Sequence, residues 1–157
     1  MNKTDIYEQI LPEIQSLVED ESDAIANMAN VSSVLHEAFG FWWTGFYRVV
    51  RPADAEDDLL VLGPFQGPLA CTRIKRGKGV CGTSWAKERT VVVPNVHEFP
   101  GHIACSSLSN SEIVVPVVHN GKVVAVLDID SKEFSTFDAI DQKYLEDVCK
   151  LLALKWN

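Results

Sequence analysis

The chain has 157 residues, of which 46% are hydrophobic and 23% charged, a composition suited to one water-facing domain with a sizeable core. Its formal charge of −8 argues against a nucleic-acid surface or an anionic membrane as partner. No apolar run approaches the roughly 20 residues that span a bilayer, and Met1–Asp5 lacks a signal-peptide pattern, so a cytoplasmic location is expected. In that compartment four cysteines are expected to be reduced thiols with a chemical role rather than a structural disulfide framework.

The spacing of Ile6, Ile10, Leu11, Ile14, Leu17 and Val18 predicts a helix over 4–19. A second helix over 22–39 carries Ile25, Met28, Ser32, Leu35 and Phe39, is capped by Ser22 or Asp23, and ends at Gly40. His36 reads as a packing or solvated side chain. From Phe41 the pattern becomes strand-like, and alternation puts Trp43, Gly45 and Tyr47 on one face. A strand glycine marks close approach of a ligand or of another backbone. The acidic, proline-containing stretch 51–58 reads as a hairpin loop. Strands are expected over 59–66 and, carrying Cys71, over 69–75.

The stretch Lys75–Ala86 is glycine-rich, but it lacks the spacing of a phosphate loop. It predicts a turn into a short helix over 80–87, with Cys81 near the N-terminus, where the helix dipole would lower the thiol pKa. Val91–Pro94 reads as an edge strand. After Pro100-Gly101 comes Cys105, in a loop of small and hydroxyl residues, where accessible amides can stabilise a thiolate or an oxyanion. A strand follows over 112–118, Asn120-Gly121 makes a hairpin turn, and a returning strand over 122–130 places Asp128 and Asp130 on one face and Ile129 on the other. A capping box over Ser135–Asp138 opens the last helix, with Phe137, Ile140, Tyr144, Leu145, Val148, Leu151 and Leu152 as its stripe and Cys149 beside it as inert packing.

This order predicts one α+β domain over 1–157: N-terminal helices (1–40), a central antiparallel sheet of about six strands with the site loops (41–134), and a C-terminal helix (135–157). The helices from both chain ends would cover one face of the sheet, while the short helix and loops cover a pocket on the other.

Cys71, Cys81 and Cys105 stand 10 and 24 residues apart. Around them lie Trp43–Tyr47 (WTGFY), Leu62–Gly67 (LGPFQG), Gly101–Cys105 (GHIAC), Ser111–Pro116 (SEIVVP) and Leu127–Ser131 (LDIDS). In joint order and spacing these segments resemble the free methionine-(R)-sulfoxide reductase family, which is built on a GAF domain. The resemblance runs from about Trp43 onward, and the helical N-terminus fits it. Two departures are Ser106, where the pattern has an acidic residue, and a longer 51–58 loop.

The resemblance implies thiol-dependent reduction of free L-methionine-(R)-sulfoxide. Cys105 would attack the sulfoxide and become a sulfenic acid, Cys71 would resolve it as a disulfide, and Cys81 would relay that disulfide or stand in for Cys71. Thioredoxin or a similar dithiol would restore the thiols. Glu112, Asp128 and Asp130 would bind the substrate ammonium and supply a proton. Trp43 and Tyr47 would wall the methyl-sulfur end and hydrogen-bond through their polar atoms, and amides around Ile103 and Ala104 would hold the carboxylate. No cofactor and no metal are expected, since Cys81, His97, His102 and Cys105 match no compact ligand spacing. A homodimer is suggested by similar proteins. The competing readings are a non-catalytic GAF sensor of a small ligand, which would need no cysteines, and a general thiol redox switch, which would need no convergent carboxylates.

Overall fold

In the computed structural model, residues 1–102 and 108–157 are described. The elements run α1 (Lys3–Glu19), α2 (Ala24–Phe39), β1 (Trp43–Val50), β2 (Leu59–Gln66), β3 (Arg73–Ile74), α3 (Gly79–Lys87), β4 (Val91–Val93), a 3-10 turn (Val96–Glu98), β5 (Ser111–His119), β6 (Lys122–Ser131) and α4 (Ala139–Leu154). The strands form one six-stranded antiparallel sheet in the order β3-β2-β1-β6-β5-β4. No helix among the described residues is long and apolar enough to cross a membrane.

Period-two alternation divides the sheet into two unlike faces. Phe46, Ile113, Val115, Val117, Ala125, Leu127 and Ile129 pack against α1, α2 and α4. Trp43, Tyr47, Val93, Val114 and Val126 point the other way, toward α3 and the 3-10 turn. The larger core therefore lies on the helical side. The face opposite is left to α3 and irregular chain, and that is where a pocket can form.

The β5–β6 hairpin fixes the register that matters most. Asn120 and Gly121 both adopt left-handed backbone (φ 52° and 76°), the combination a two-residue hairpin turn requires. From that turn the pairing runs back, through a one-residue register shift between Val117 and Val118, to Val114↔Asp128 and Glu112↔Asp130.

Three local expectations are corrected. The capping box of α4 is Asp138 with Asp141, not Ser135 with Asp138. Ser135 has a left-handed backbone (φ 53°), whereas an N-cap residue is extended. Asp141 also turns inward, accepting from the Tyr7 hydroxyl at 2.6 Å and from Lys3. That phase leaves Ile140 exposed rather than on the stripe. In α2, capped by Asp23, Ile25 is likewise exposed.

The third correction concerns Leu69–Lys75, where pairing shrinks to the two residues of β3. The preceding carbonyls are taken by side chains from β1. Trp43 Nε1 donates to Pro68 O at 3.0 Å, and the Tyr47 hydroxyl donates to Cys71 O at 2.9 Å. Residues 67–72 are thus a strap tied across β1 rather than a strand.

Candidate active site

Gly45 lets this strap and its wall assemble. A Cβ at Gly45 would lie 2.3 Å from Phe65 Cβ and 2.8 Å from the Trp43 indole. Its absence lets Trp43 stack between Phe65 (centroids 5.2 Å) and Tyr47 (6.0 Å). The close approach expected at this glycine is to a neighbouring strand.

Beside the stack opens a small pocket, a cavity of about 60 Å³ that is partly open to solvent. Trp43 and Tyr47 from β1, Glu112 from β5, Asp128 and Asp130 from β6, and Cys81 from α3 all line it. Gly45↔Asp128 and Trp43↔Asp130 pair across β1 and β6, and Glu112 pairs with Asp130, so the indole and the three carboxylates occupy adjoining positions on one face.

Three acids in one low-dielectric space cannot all ionise freely. Burial, and then the charges of Asp128 and Asp130, push Glu112 well above the ordinary carboxyl range. Burial and the charge of Asp128 do the same to Asp130. Burial also raises Asp128, but hydrogen bonds from Glu112 and the Cys81 thiol oppose the rise. The charge of Asp128 helps keep protons on the other two.

Cys81 corrects the expectation of a lowered thiol pKa. It is a free, buried thiol whose pKa is pushed well up by desolvation and by Asp128, Glu112 and Asp130. These effects outweigh the dipole of a nine-residue helix. Cys71 is disulfide-bonded. Cys149 is a free buried thiol against Val115, with its pKa raised by burial, as inert packing requires. Cys105, Ile103 and Ala104 lie outside the described residues.

Residues 20–155 match the GAF domain family. A free methionine-R-sulfoxide reductase from Escherichia coli is 44% identical over 94% of this chain and 87% of its own length. GAF domain-containing protein A of Dictyostelium discoideum is 54% identical over 96% of this chain and 92% of its own. A crystal structure of free methionine-R-sulfoxide reductase from Neisseria meningitidis in complex with its substrate superposes with a TM-score of 0.94 and 52% identity, covering 99% of this chain and 91% of that one. The chain belongs to the free methionine-(R)-sulfoxide reductase family of GAF domains.

In this family member the predicted acidic residues converge on one pocket together with the rings of Trp43 and Tyr47. Their polar atoms are already committed to the strap carbonyls, so they present ring surface to the pocket. Burial and the neighbouring acids also raise the Tyr47 hydroxyl pKa, which removes it as an acid near neutrality.

Lining residues that sequence reasoning missed include Trp42, Lys78, His102 and Ser109. In the sequence, His102 stands out only as a candidate metal ligand beside His97. Its Nε2 lies 3.8 Å from Glu112 Oε1, and burial and His97 lower its pKa, so the contact joins two neutral groups rather than an ion pair. His97 instead contacts Asn110 Oδ1 at 2.8 Å. Lys78 enters from the glycine-rich turn before α3, a signal that was visible in the sequence.

The raised acids predict a stability effect. In the unfolded chain Glu112 and Asp130 ionise near pH 4, while in the folded chain they resist ionisation. Stability therefore falls as pH rises from about 4 until their folded pKa values are passed. Glu112→Gln is expected to raise Tm at pH 7 and flatten the decline between about pH 4.5 and 7, each kcal/mol regained being worth about 2–4 °C. Thermal melts across that range test this, and an unchanged slope would refute the assignment.

Proposed function

We propose that the protein reduces free L-methionine-(R)-sulfoxide to methionine by thiol chemistry. The observation that carries this reading is the convergence of Glu112, Asp128 and Asp130 beside the Trp43 indole in one pocket. A free amino acid has an ammonium group that offsets such acidity, whereas a methionine inside a peptide does not. Asp128, whose Oδ1 is buried without a hydrogen-bond partner, takes the ammonium. Lys78 brings a cation to the lining and suits the substrate carboxylate, together with amides near Ile103 and Ala104. The Trp43 face packs the methyl-sulfur end.

Cys105 is the nucleophile. Its thiolate attacks the sulfoxide sulfur as Glu112 or Asp130, both holding protons, donates to the oxygen. The S–O oxygen passes to Cys105, which becomes a sulfenic acid as the sulfoxide is reduced to the thioether. The Cys71 thiol then attacks the sulfenic sulfur, releasing water and forming a disulfide. A dithiol donor such as thioredoxin returns both thiols by exchange and is itself oxidised. In support, Cys71 is disulfide-bonded while Cys81 and Cys149 are free.

The deciding assay supplies purified protein and a dithiol with free R-sulfoxide, free S-sulfoxide or a peptide-bound sulfoxide. Consumption confined to the free R form is expected. Equal reduction of the peptide would overturn the ammonium argument, and binding without turnover would favour a sensor.

Tyr47→Phe keeps the ring stack but removes the donor to the Cys71 carbonyl. The first methionine should be released at near wild-type rate, while disulfide formation slows about tenfold, roughly the value of one buried hydrogen bond. Quenched-flow thiol counting separates the two steps. An equal loss in both would deny the strap its positioning role.

A further inference from the structure

The pocket floor carries a donor set that ammonium binding does not exhaust. Cys81 Sγ and one carboxylate oxygen each of Glu112 and Asp128 lie within 4.8 Å of one another, and all three residues are buried. Each stands on regular structure, in α3, β5 and β6 respectively, so their spacing is set by the framework rather than by a loop. His102 Nε2 lies 3.8 Å from Glu112 Oε1, on the same lining.

A second observation points to a ligand. Asp128 is 6% exposed and its Oδ1 makes no hydrogen bond, and Ser109, also 6% exposed, has an unpartnered Oγ. Both residues border the pocket. Ser109 sits close enough to Asp130 to favour its charge without completing a hydrogen bond. Orphaned buried acceptors of this kind call for an occupant.

We propose that the pocket floor binds one thiophilic divalent cation of the zinc class through Cys81 Sγ, Glu112 and Asp128, with the remaining coordination position left to water. A thiolate with two carboxylates is a borderline-soft set that selects zinc over magnesium or calcium. Four-coordinate zinc holds its donors roughly 3.5 Å apart, so the observed spread closes with small side-chain rotations. The cation takes the place the substrate ammonium would occupy at Asp128, making it a competitor of the substrate. Cation binding stands independently of the reductase reading, and this competition alone rests on it.

The test uses oxidised protein, in which Cys71 is disulfide-bonded and Cys81 supplies the pocket thiol. Titration with cobalt(II) should give one equivalent of binding and a thiolate-to-cobalt charge-transfer band, which zinc displaces and magnesium does not. Cys81→Ser should abolish the band. Asp128→Asn, which leaves the thiol in place, should weaken zinc binding about tenfold or more by calorimetry. Cys149→Ser should leave both signals unchanged. Absence of the band in the parent protein, or its persistence in Cys81→Ser, overturns the site. If zinc binds but methionine sulfoxide does not raise its apparent Kd, the substrate role of Asp128 fails while the cation site stands.

Discussion

Cys105→Ser is expected to release no methionine, even in a single turnover at high enzyme concentration, whereas Cys71→Ser releases one equivalent and stops. The asymmetry follows from the order of bond changes. Oxygen transfer needs one thiolate, and regeneration needs a second thiol. In the Cys71 variant the sulfenic acid on Cys105 should accumulate and be trapped by a dimedone-type reagent, giving a mass shift that is absent from the Cys105 variant. Cys81 lies beneath three acids with its pKa raised, so it should not rescue turnover efficiently. A full first equivalent from Cys105→Ser would remove that residue as nucleophile. Sustained wild-type turnover by Cys71→Ser would pass the resolving role to Cys81.

Asp128→Asn is expected to raise KM about 10- to 100-fold, the value of one charge-assisted hydrogen bond of about 1.5–3 kcal/mol to an ammonium. The same change should move the pH profile. Charge on Asp128 helps keep protons on Glu112 and Asp130, so neutralising it lowers both pKa values. A proton donor stops working as pH rises through its pKa, and the alkaline decline in kcat should therefore begin at lower pH in the variant. Steady-state kinetics across pH measure both effects. An unchanged KM with an unmoved profile would exclude Asp128 from the site.

The sheet and its acidic face were legible because period-two alternation carries direct geometric information. Asp128 and Asp130 flank Ile129 and so share a face, but Glu112 lies opposite Asp130 rather than Ile129 because the β5–β6 register shifts by one residue between Val117 and Val118, a bulge that alternation alone does not announce. Alternation cannot reveal what a side chain's polar atom is bonded to. The strap has a composition that suits a strand, while the bonds that dissolve it come from Trp43 and Tyr47, some 25 residues earlier. The raised pKa of Cys81 is hidden from the sequence for a related reason. Its place in α3 is local, but the acids that raise its pKa arrive from strands 31 and 47 residues further on. Ile140 lost its inward place to Asp141, whose burial depends on Tyr7 at the far end of the chain. Lys78 and His102 stand in irregular segments, where no periodicity says which way a side chain faces.

The unlike faces of β5 and β6 make these strands intolerant of changes in length. Inserting one residue between Ile113 and Val117, or deleting one between Ala125 and Ile129, would exchange inside for outside along the rest of the strand. Carboxylates would be driven into the hydrocarbon layer under the helices, and aliphatic chains into the acidic chamber. A gain or loss of residues is tolerated more easily in places such as 51–58, where no alternating pattern has to be kept in phase.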